Sequence, residues 1–256
     1  MKTITIKAYA KLNLFLDILG KRPDGYHEIL TKMCLIDLAN DVTIKIGETG
    51  IVRENNKNAY KAAALFLEKI NSRENVSIDI IKNIPEEAGL GGSSADAAAV
   101  LRGLNKLYGE PFTLNELMSI GAETGADVPF CIHGGCAVCM GTGAEISEVL
   151  PLPDCIFVIV KPKFSCSSKE AYARFNGYVE PEGQYYNAFE RLYNNPEIGK
   201  TKEELINLGA SAACMTGSGS AVFGVFEGSD SFKNAKKALK NLNYSEKFIA
   251  SPLNIY

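Results

Sequence analysis

Gly89, Gly91 and Gly92 stand with Ser93 and Ser94 in the run Pro85-Glu86-Glu87-Ala88-Gly89-Leu90-Gly91-Gly92-Ser93-Ser94-Ala95-Asp96, and glycines with hydroxyls at this spacing suit phosphate binding. Without side chains the backbone can curl until several N–H groups converge, and a helix starting there adds the positive end of its dipole. Such a cradle binds anions. Lys82 precedes it and can add a positive charge, and Ser93 or Ser94 can offer a hydroxyl to a phosphate or a metal ion. Asp96, three residues after Ser93, has the spacing of a capping box. Further along, Lys11 and Asn13 lie two apart in an apolar stretch, and Asp127 precedes Val128-Pro129, where the backbone before proline is restrained. By pattern alone Lys11 suits an edge-strand lysine as well as a functional one, and Asp127 suits a turn former.

These residues need elements to hold them. Val76–Ile81 alternates and is β-branched like a strand, and Ala95 onward reads as helix, so the glycines occupy a strand-to-helix turn. Residues 3 to 9, 11 to 18 and 42 to 46 also read as strands, and 57 to 70, 94 to 107 and 114 to 123 as helices. Thr113 with Glu116 forms a second capping-box pattern. In the strand of 11 to 18, Lys11 and Asn13 share one face while Leu12, Leu14 and Leu16 share the other. Phe130-Cys131-Ile132 and Cys136 to Met140 read as a strand pair, with His133 at its turn and without a role. Pro151-Leu152-Pro153-Asp154 then breaks the pattern, placing a boundary that divides the chain into 1–150 and 151–256. Beyond it come a strand at 155 to 160, a helix near 201 to 208, strands at 211 to 215 and 221 to 226, and a helix at 230 to 241. The fold class is α+β, and this β, α, β, β, α order suits a ferredoxin-like unit.

Two standard nucleotide motifs fail by counting. Gly89-Leu90-Gly91 does not complete G-x-G-x-x-G, because the sixth position is Ser94, and Gly199-Lys200-Thr201 lacks the earlier P-loop glycine, where Asn194 stands. Cys131, Cys136 and Cys139 have part of a plant-type iron–sulfur spacing, but residues three apart on a strand face opposite ways, and buried thiols are the commoner case.

Pro85 through Ala97 resembles the central motif of the GHMP kinases, small-molecule kinases named for galactose, homoserine, mevalonate and phosphomevalonate. Ala10-Lys11-Leu12-Asn13-Leu14-Phe15-Leu16, Arg22-Pro23-Asp24-Gly25-Tyr26-His27-Glu28-Ile29, Gly125-Ala126-Asp127-Val128-Pro129-Phe130 and Met215-Thr216-Gly217-Ser218-Gly219-Ser220 resemble further family segments, in the family's order. The resemblance implies an N-terminal domain like ribosomal protein S5 domain 2 and a ferredoxin-like C-terminal domain, with the active site in the cleft between them. It implies ATP and Mg2+ as cofactors, a nucleotide cradle of Pro85, Gly89, Leu90, Gly91, Gly92, Ser93, Ser94 and Ala95, and Lys11 with Asp127 as the catalytic pair; Lys82 joins the cradle as a local positive charge.

Tyr26-His27 resembles one branch of the family, whose acceptor is a cytidine-diphosphate methylerythritol phosphorylated on its 2-hydroxyl, a step of the non-mevalonate isoprenoid route. There the histidine hydrogen-bonds the cytosine edge and the tyrosine stacks on its face, Tyr172 closes the other side, and Asn13 joins the substrate site; Gly217 and Gly219, also placed with the substrate-binding residues, could make a tight hairpin, but the resemblance favours a second loop that approaches the phosphates. Between Ile46 and Tyr60 this chain is shorter than its relatives, which carry adenine-side residues there. Two alternatives stand beside this reading: a homoserine- or mevalonate-type kinase, which has no use for a Tyr-His cytosine clamp, and a non-catalytic nucleotide- or RNA-binding module.

Composition narrows these. The chain has 256 residues, 46% hydrophobic and 22% charged, with a net charge of −3, which gives nothing to attract nucleic acid or an anionic membrane as a whole. Its seven cysteines, an odd number, do not suggest a disulfide framework. Met1 to Lys7 alternates like a strand rather than a signal peptide, so a cytoplasmic monomer or homodimer is expected, acting on a small molecule, with no nucleic-acid or membrane partner.

Overall fold

The computed structural model describes residues 2–47, 56–164 and 167–255. Its elements run β1 (Lys2–Lys21), β2 (His27–Ile46), α1 (Lys57–Lys69), β3 (Val76–Ile81), α2 (Gly92–Leu107), α3 (Leu114–Thr124), α4 (Val128–His133), β4 (Cys136–Met140) and β5 (Glu145–Leu150). There follow β6 (Cys155–Lys161), α5 (Ser168–Ala173), β7 (Tyr186–Asn187), α6 (Ala188–Tyr193), α7 (Pro196–Asn207), β8 (Ala212–Met215), β9 (Val222–Glu227), α8 (Ser231–Asn241) and β10 (Glu246–Ala250). The chain divides into two compact units, one of Met1–Ala10, Leu38–Ile84 and Gly91–Gly134, the other of Lys11–Asp37, Pro85–Leu90 and Gly135–Tyr256.

In the first unit the C-terminal half of β2 pairs antiparallel with β3, from Asp41 opposite Ile81 to Ile46 opposite Val76. Helix α2 lies directly on this sheet because Gly103 has no side chain: a β-carbon there would collide with Ile44. The run Ala95 to Ala99 gives α2 a thin buried surface, and Phe66 of α1 meets Phe112 edge-on with centroids 5.3 Å apart. Thr113 and Glu116 form the expected reciprocal cap at the start of α3.

In the second unit one sheet has the order β5-β4-β2-β1-β7. The other is wholly antiparallel, in the order β10-β6-β9-β8, and with α7 and α8 it gives the β-α-β-β-α-β sequence of a ferredoxin-like unit, with α5, β7 and α6 inserted after β6. Its core gathers Val158, Val160, Ile198, Leu205, Val222, Phe226, Ala235 and Ala238. Gly224 of β9 admits α7 closely, since a β-carbon there would sit 3.2 Å from that of Leu205.

Several expectations need correction. The strands of 3 to 9 and 11 to 18 are one strand, β1, and β2 extends well before residue 42. Met33-Cys34-Leu35-Ile36 is buried throughout, so it lacks the alternation that marks a half-exposed strand. Phe130-Cys131-Ile132 is helix, not strand, and His133 ends that helix rather than turning a hairpin. Pro129 in its first turn supplies a preset φ and no N–H to lose, and a short apolar run reads the same in either state. Helices α5 and α6 and strands β5, β7 and β10 lie where the sequence pattern indicates no element.

Candidate active site

Lys11 and Asn13 of β1 are both buried, at 4% and 2% exposure, and the Lys11 ammonium donates to Asn13 Oδ1. An ammonium inside a sheet is costly unless its protons are taken up, and the alternation of β1 places an amide oxygen within reach. Asn13 is itself held at both ends. Its backbone N–H donates to Thr216 Oγ1 at 2.8 Å, and its side-chain amide donates to Thr31 Oγ1 at 2.8 Å, which in turn donates to the Phe15 carbonyl at 2.7 Å.

Two glycine-bearing loops converge on this strand. The Lys11 N–H donates to the Leu90 carbonyl at 3.0 Å, Ala221 N–H donates to the Ala88 carbonyl at 3.1 Å, and Thr216 Oγ1 reaches the Gly89 carbonyl at 3.4 Å. Gly89, at φ +75°, cannot be replaced without collision, because a β-carbon would run into the Thr216 carbonyl oxygen; one on Gly217 would lie 2.8 Å from the Gly89 carbonyl. Asn187 pins the second loop, donating to the Met215 and Gly217 carbonyls at 2.8 Å each while its Oδ1 caps α6 through Phe189 N–H. The sequence pattern assigns no role to Thr31, Thr216 or Asn187. Nothing in the local sequence singles out Asn187 beyond an ordinary helix cap, because both of its long-range acceptors are main chain.

The first loop has the backbone of an anion cradle. Glu87, Gly89 and Gly91 have φ of +51°, +75° and +70°, every second residue in the left-handed region, an alternation suited to turning successive N–H groups to one side. Gly91 is the N-cap of α2 and no side chain caps that helix, which leaves its first N–H groups to a ligand. Ser220 Oγ in the second loop is buried without a hydrogen-bond partner. These features fit a phosphate-bearing cofactor.

Asp96 corrects one expectation. It is fully buried and does not cap; its carboxylate accepts from Asn40 Nδ2 at 2.9 Å, Asn56 Nδ2 at 2.6 Å and Lys82 Nζ at 2.6 Å. Lys82, one-third exposed, is therefore tied to Asp96. Ser93 lies in the first turn of α2, where Asn58 donates to its hydroxyl at 3.1 Å, and Ser94 and Ala95 follow in the same turn. Asp127 is the residue before α4 and does not cap it with its side chain. Lys11 falls in the second unit and Asp127 in the first.

An aromatic site lies in the second unit. His27, at the start of β2, stacks on Tyr172 with centroids 5.0 Å apart and planes 20° from parallel, and meets Phe175 edge-on at 5.5 Å. Tyr172 stands edge-on to the buried Phe189 at 4.9 Å, which fixes it. Tyr26 is 66% exposed at the turn, which Asp24 folds by accepting the Tyr26 N–H at 3.0 Å. Arg22 staples the turn to Glu28 at 2.6 Å. Burial, aided by Lys21, holds the His27 imidazole below the ordinary histidine range.

Residues 57–135 match the family model of the GHMP kinases N terminal domain, and residues 183–245 that of the GHMP kinases C terminal. The chain belongs to the GHMP kinases. As a member it shares ATP as cofactor with that family. Among curated relatives of this GHMP kinase, the 4-diphosphocytidyl-2-C-methyl-D-erythritol kinase of Clostridium tetani is 40% identical over 97% of this chain and 99% of its own. The kinase of the same name from Caldicellulosiruptor saccharolyticus is 41% identical over 86% of this chain and 87% of its own. A solved 4-(cytidine 5'-diphospho)-2C-methyl-D-erythritol kinase superposes with a TM-score of 0.79 at 31% identity, covering 97% of this chain and 99% of that one. The homoserine kinase of Cytophaga hutchinsonii shares the fold, with a TM-score of 0.78 at 16% identity.

Among the described residues no group of three or more His, Cys, Asp or Glu is placed to hold a metal ion, and no helix is long and apolar enough to cross a membrane. The segment between Ile46 and Tyr60, where adenine contacts were expected to differ from relatives, lies largely outside the described residues.

Proposed function

We propose that this chain phosphorylates the 2-hydroxyl of 4-diphosphocytidyl-2-C-methyl-D-erythritol, giving the 2-phosphate and ADP on the non-mevalonate route to isopentenyl diphosphate. The observation that carries the reading is the pairing of His27 with Tyr172 in a chain that matches kinases of that name from end to end. A neutral imidazole beside aromatic rings suits a flat, polar-edged nucleobase. A homoserine- or mevalonate-sized acceptor offers nothing for such a site to recognise.

In this reading the loop of Pro85, Gly89, Leu90, Gly91, Gly92, Ser93, Ser94 and Ala95, with Lys82, holds the nucleotide phosphates, and Gly217 and Gly219 let the second loop approach them. ATP, when bound, would supply the phosphoryl group and Mg2+ would offset its charge, with a hydroxyl of Ser93 or Ser94 as the protein's contribution to holding the ion. Asp127 takes the proton as the acceptor oxygen bonds to phosphorus and the bond to ADP breaks. Lys11, its ammonium oriented by Asn13, stabilises the charge that develops on the acceptor oxygen. Tyr26, His27 and Tyr172 fix the cytosine and so place the hydroxyl; effective molarity gained by such placement is a large part of catalysis where the transition state is loose.

The test is ADP release with magnesium-ATP, comparing the cytidylated acceptor with methylerythritol phosphate, homoserine and mevalonate. Turnover with the cytidylated acceptor alone, abolished by Asp127→Asn, is expected. Turnover with an acceptor lacking a nucleobase would overturn the substrate, and nucleotide binding without turnover of any acceptor would overturn the kinase reading.

A further inference from the structure

Asp96 sits outside the glycine loop, yet its hydrogen bonds reach the chain on both sides of it. Its Oδ1 accepts from Asn40 Nδ2, and the opposite end of Asn40, its Oδ1, accepts the backbone N–H groups of Asn83 at 2.7 Å and Ile84 at 2.8 Å, the two residues that lead into Pro85. Its Oδ2 accepts from Asn56 and Lys82. Asn56 in turn is the N-cap of α1, accepting from Ala59 N–H at 3.2 Å and from Ser93 Oγ at 3.4 Å. Asp96 itself is in the first turns of α2, which begins where the loop ends. One buried carboxylate thereby joins the loop's entry, its exit, the start of α1 and the Lys82 ammonium.

A carboxylate at 0% exposure in a helix is unfavourable on two counts, since aspartate is a poor helix former and the charge is taken out of water. An alanine would extend the buried alanine surface of α2 without either penalty. What the aspartate adds is four acceptor sites that no neutral side chain of its size provides, and three of them are used. The network also has a fixed polarity. Asn40 has to point its NH2 at Asp96, because its oxygen is committed to Asn83 and Ile84.

We propose that Asp96 is a positioning residue for nucleotide binding: it sets the ends of the glycine loop and the place of Lys82 without touching the cofactor. The inference rests on the phosphate-binding assignment made above. It has a specific consequence. In Asp96→Asn the new NH2 meets either the NH2 of Asn40 or the donors of Asn56 and Lys82. Relieving the first clash by turning Asn40 over would present its NH2 to the Asn83 and Ile84 N–H groups, and the misfit passes to the loop. The pair Asn40→Asp with Asp96→Asn restores every bond. The carboxylate moved to position 40 accepts from Asn83, from Ile84 and from the amide moved to position 96, while the oxygen of that amide accepts from Asn56 and Lys82.

The experiment is calorimetric titration of the full-length protein with magnesium and the β,γ-imido analogue of ATP, alongside acceptor KM and thermal melting. Asp96→Asn is expected to weaken the analogue by about tenfold, the worth of one misplaced hydrogen-bonded contact, while the acceptor KM moves less than about twofold. The swapped double variant is expected to bind within about threefold of the native protein. Unchanged or tighter binding by Asp96→Asn overturns the proposal, and so does a swapped variant that folds but binds as weakly as the single one. If Asp96→Asn does not fold, the swap decides alone; its own failure to fold overturns the hydrogen-bond account. Failure of the kinase reading looks different, since a native protein that binds the analogue but turns over no acceptor leaves the Asp96 comparison intact.

Discussion

The imidazole of His27 lies face to face with the ring of Tyr172, the centroids 5.0 Å apart and the planes 20° from parallel. The stack covers one face of the half-buried imidazole, and the burial that depresses its affinity for a proton favours the neutral form. A neutral imidazole has one nitrogen that donates and one that accepts, which is what an edge-on partner with both kinds of group requires.

The pH dependence follows from that shift. Because the folded imidazole binds its proton less tightly than the unfolded one, the unfolded chain takes up protons first as pH falls. His27 therefore contributes stability that is fully present above about pH 6.5, declines below it, and is lost as pH falls through the lower folded value. The acceptor KM is expected to rise over the acid end of this window, as the accepting nitrogen is lost, with ATP affinity unaffected. Acceptor KM against pH for the native protein and for His27→Gln checks it: the glutamine variant should lose the inflection. An inflection that survives the substitution belongs to another group.

The two glycine loops give a second prediction, in which conformation and close approach can be separated. Gly89 and Gly109 both have a left-handed φ, +75° and +80°, but only Gly89 has a neighbour where a β-carbon would go. Gly109→Ala is expected to cost about 1–2 kcal/mol, the penalty of that backbone region for a residue with a β-carbon, and to leave turnover unchanged. Gly89→Ala adds a collision with the Thr216 carbonyl, so the loops must part. Turnover is expected to fall by about a hundredfold, since a displacement of about 1 Å has that effect on a positioned reaction. Thermal melts and kcat for the two variants make the comparison, and equal losses would mean that the contact between the loops has no part in catalysis.

What the sequence disclosed, and what it hid, has a common physical reason. The pairing of Lys11 with Asn13 was legible because a regular strand converts a spacing of two into a shared face, and the turn into α2 was legible because glycines and a helix start mark a local conformation. Asp96 was misassigned because three residues after a serine is also the spacing of a cap, whereas its partners Asn40 and Asn56 come from far along the chain. Asn187 was invisible for the same reason. His27 and Tyr172 could be joined only through resemblance to a family, since no periodicity connects residues so distant. Around Cys131 the local signal was ambiguous, and Pro129 decided for helix.

Asn187 allows its two roles to be taken apart. Asn187→Asp keeps the oxygen that caps α6 but replaces two donors with a carboxylate facing the Met215 and Gly217 carbonyls. Two buried carbonyls lose their partner and an anion is set against them, so a loss of about 2–3 kcal/mol is expected in denaturant unfolding, with kcat falling as the Gly217 loop loosens. Asn187→Ser should be milder in charge but loses the reach to both carbonyls. A stable, fully active Asn187→Asp would show that the second loop is held by its contacts with Asn13, Ala88 and Gly89 without Asn187.

The cysteines give a prediction that also settles the iron–sulfur spacing. Cys131, Cys136 and Cys139 are buried, with Cys131 on a helix and the other two on β4, and Cys34, Cys155 and Cys214 are buried as well. The reactive species is the thiolate: burial lifts Cys155 to about 12 and Cys214 well above the ordinary thiol, and a hydrogen bond with Cys136, together with burial, raises Cys34, while that same bond lowers Cys136, which only its burial in β4 shields from reagents. In the native protein at pH 8 these six are expected to resist iodoacetamide and to react once denaturant is added, as peptide mapping by mass spectrometry would record. The purified protein should also carry no iron and no visible absorption band. Rapid native alkylation of Cys136 or Cys139, or iron that co-purifies in stoichiometric amount, would mean that these thiols do chemistry rather than fill the core.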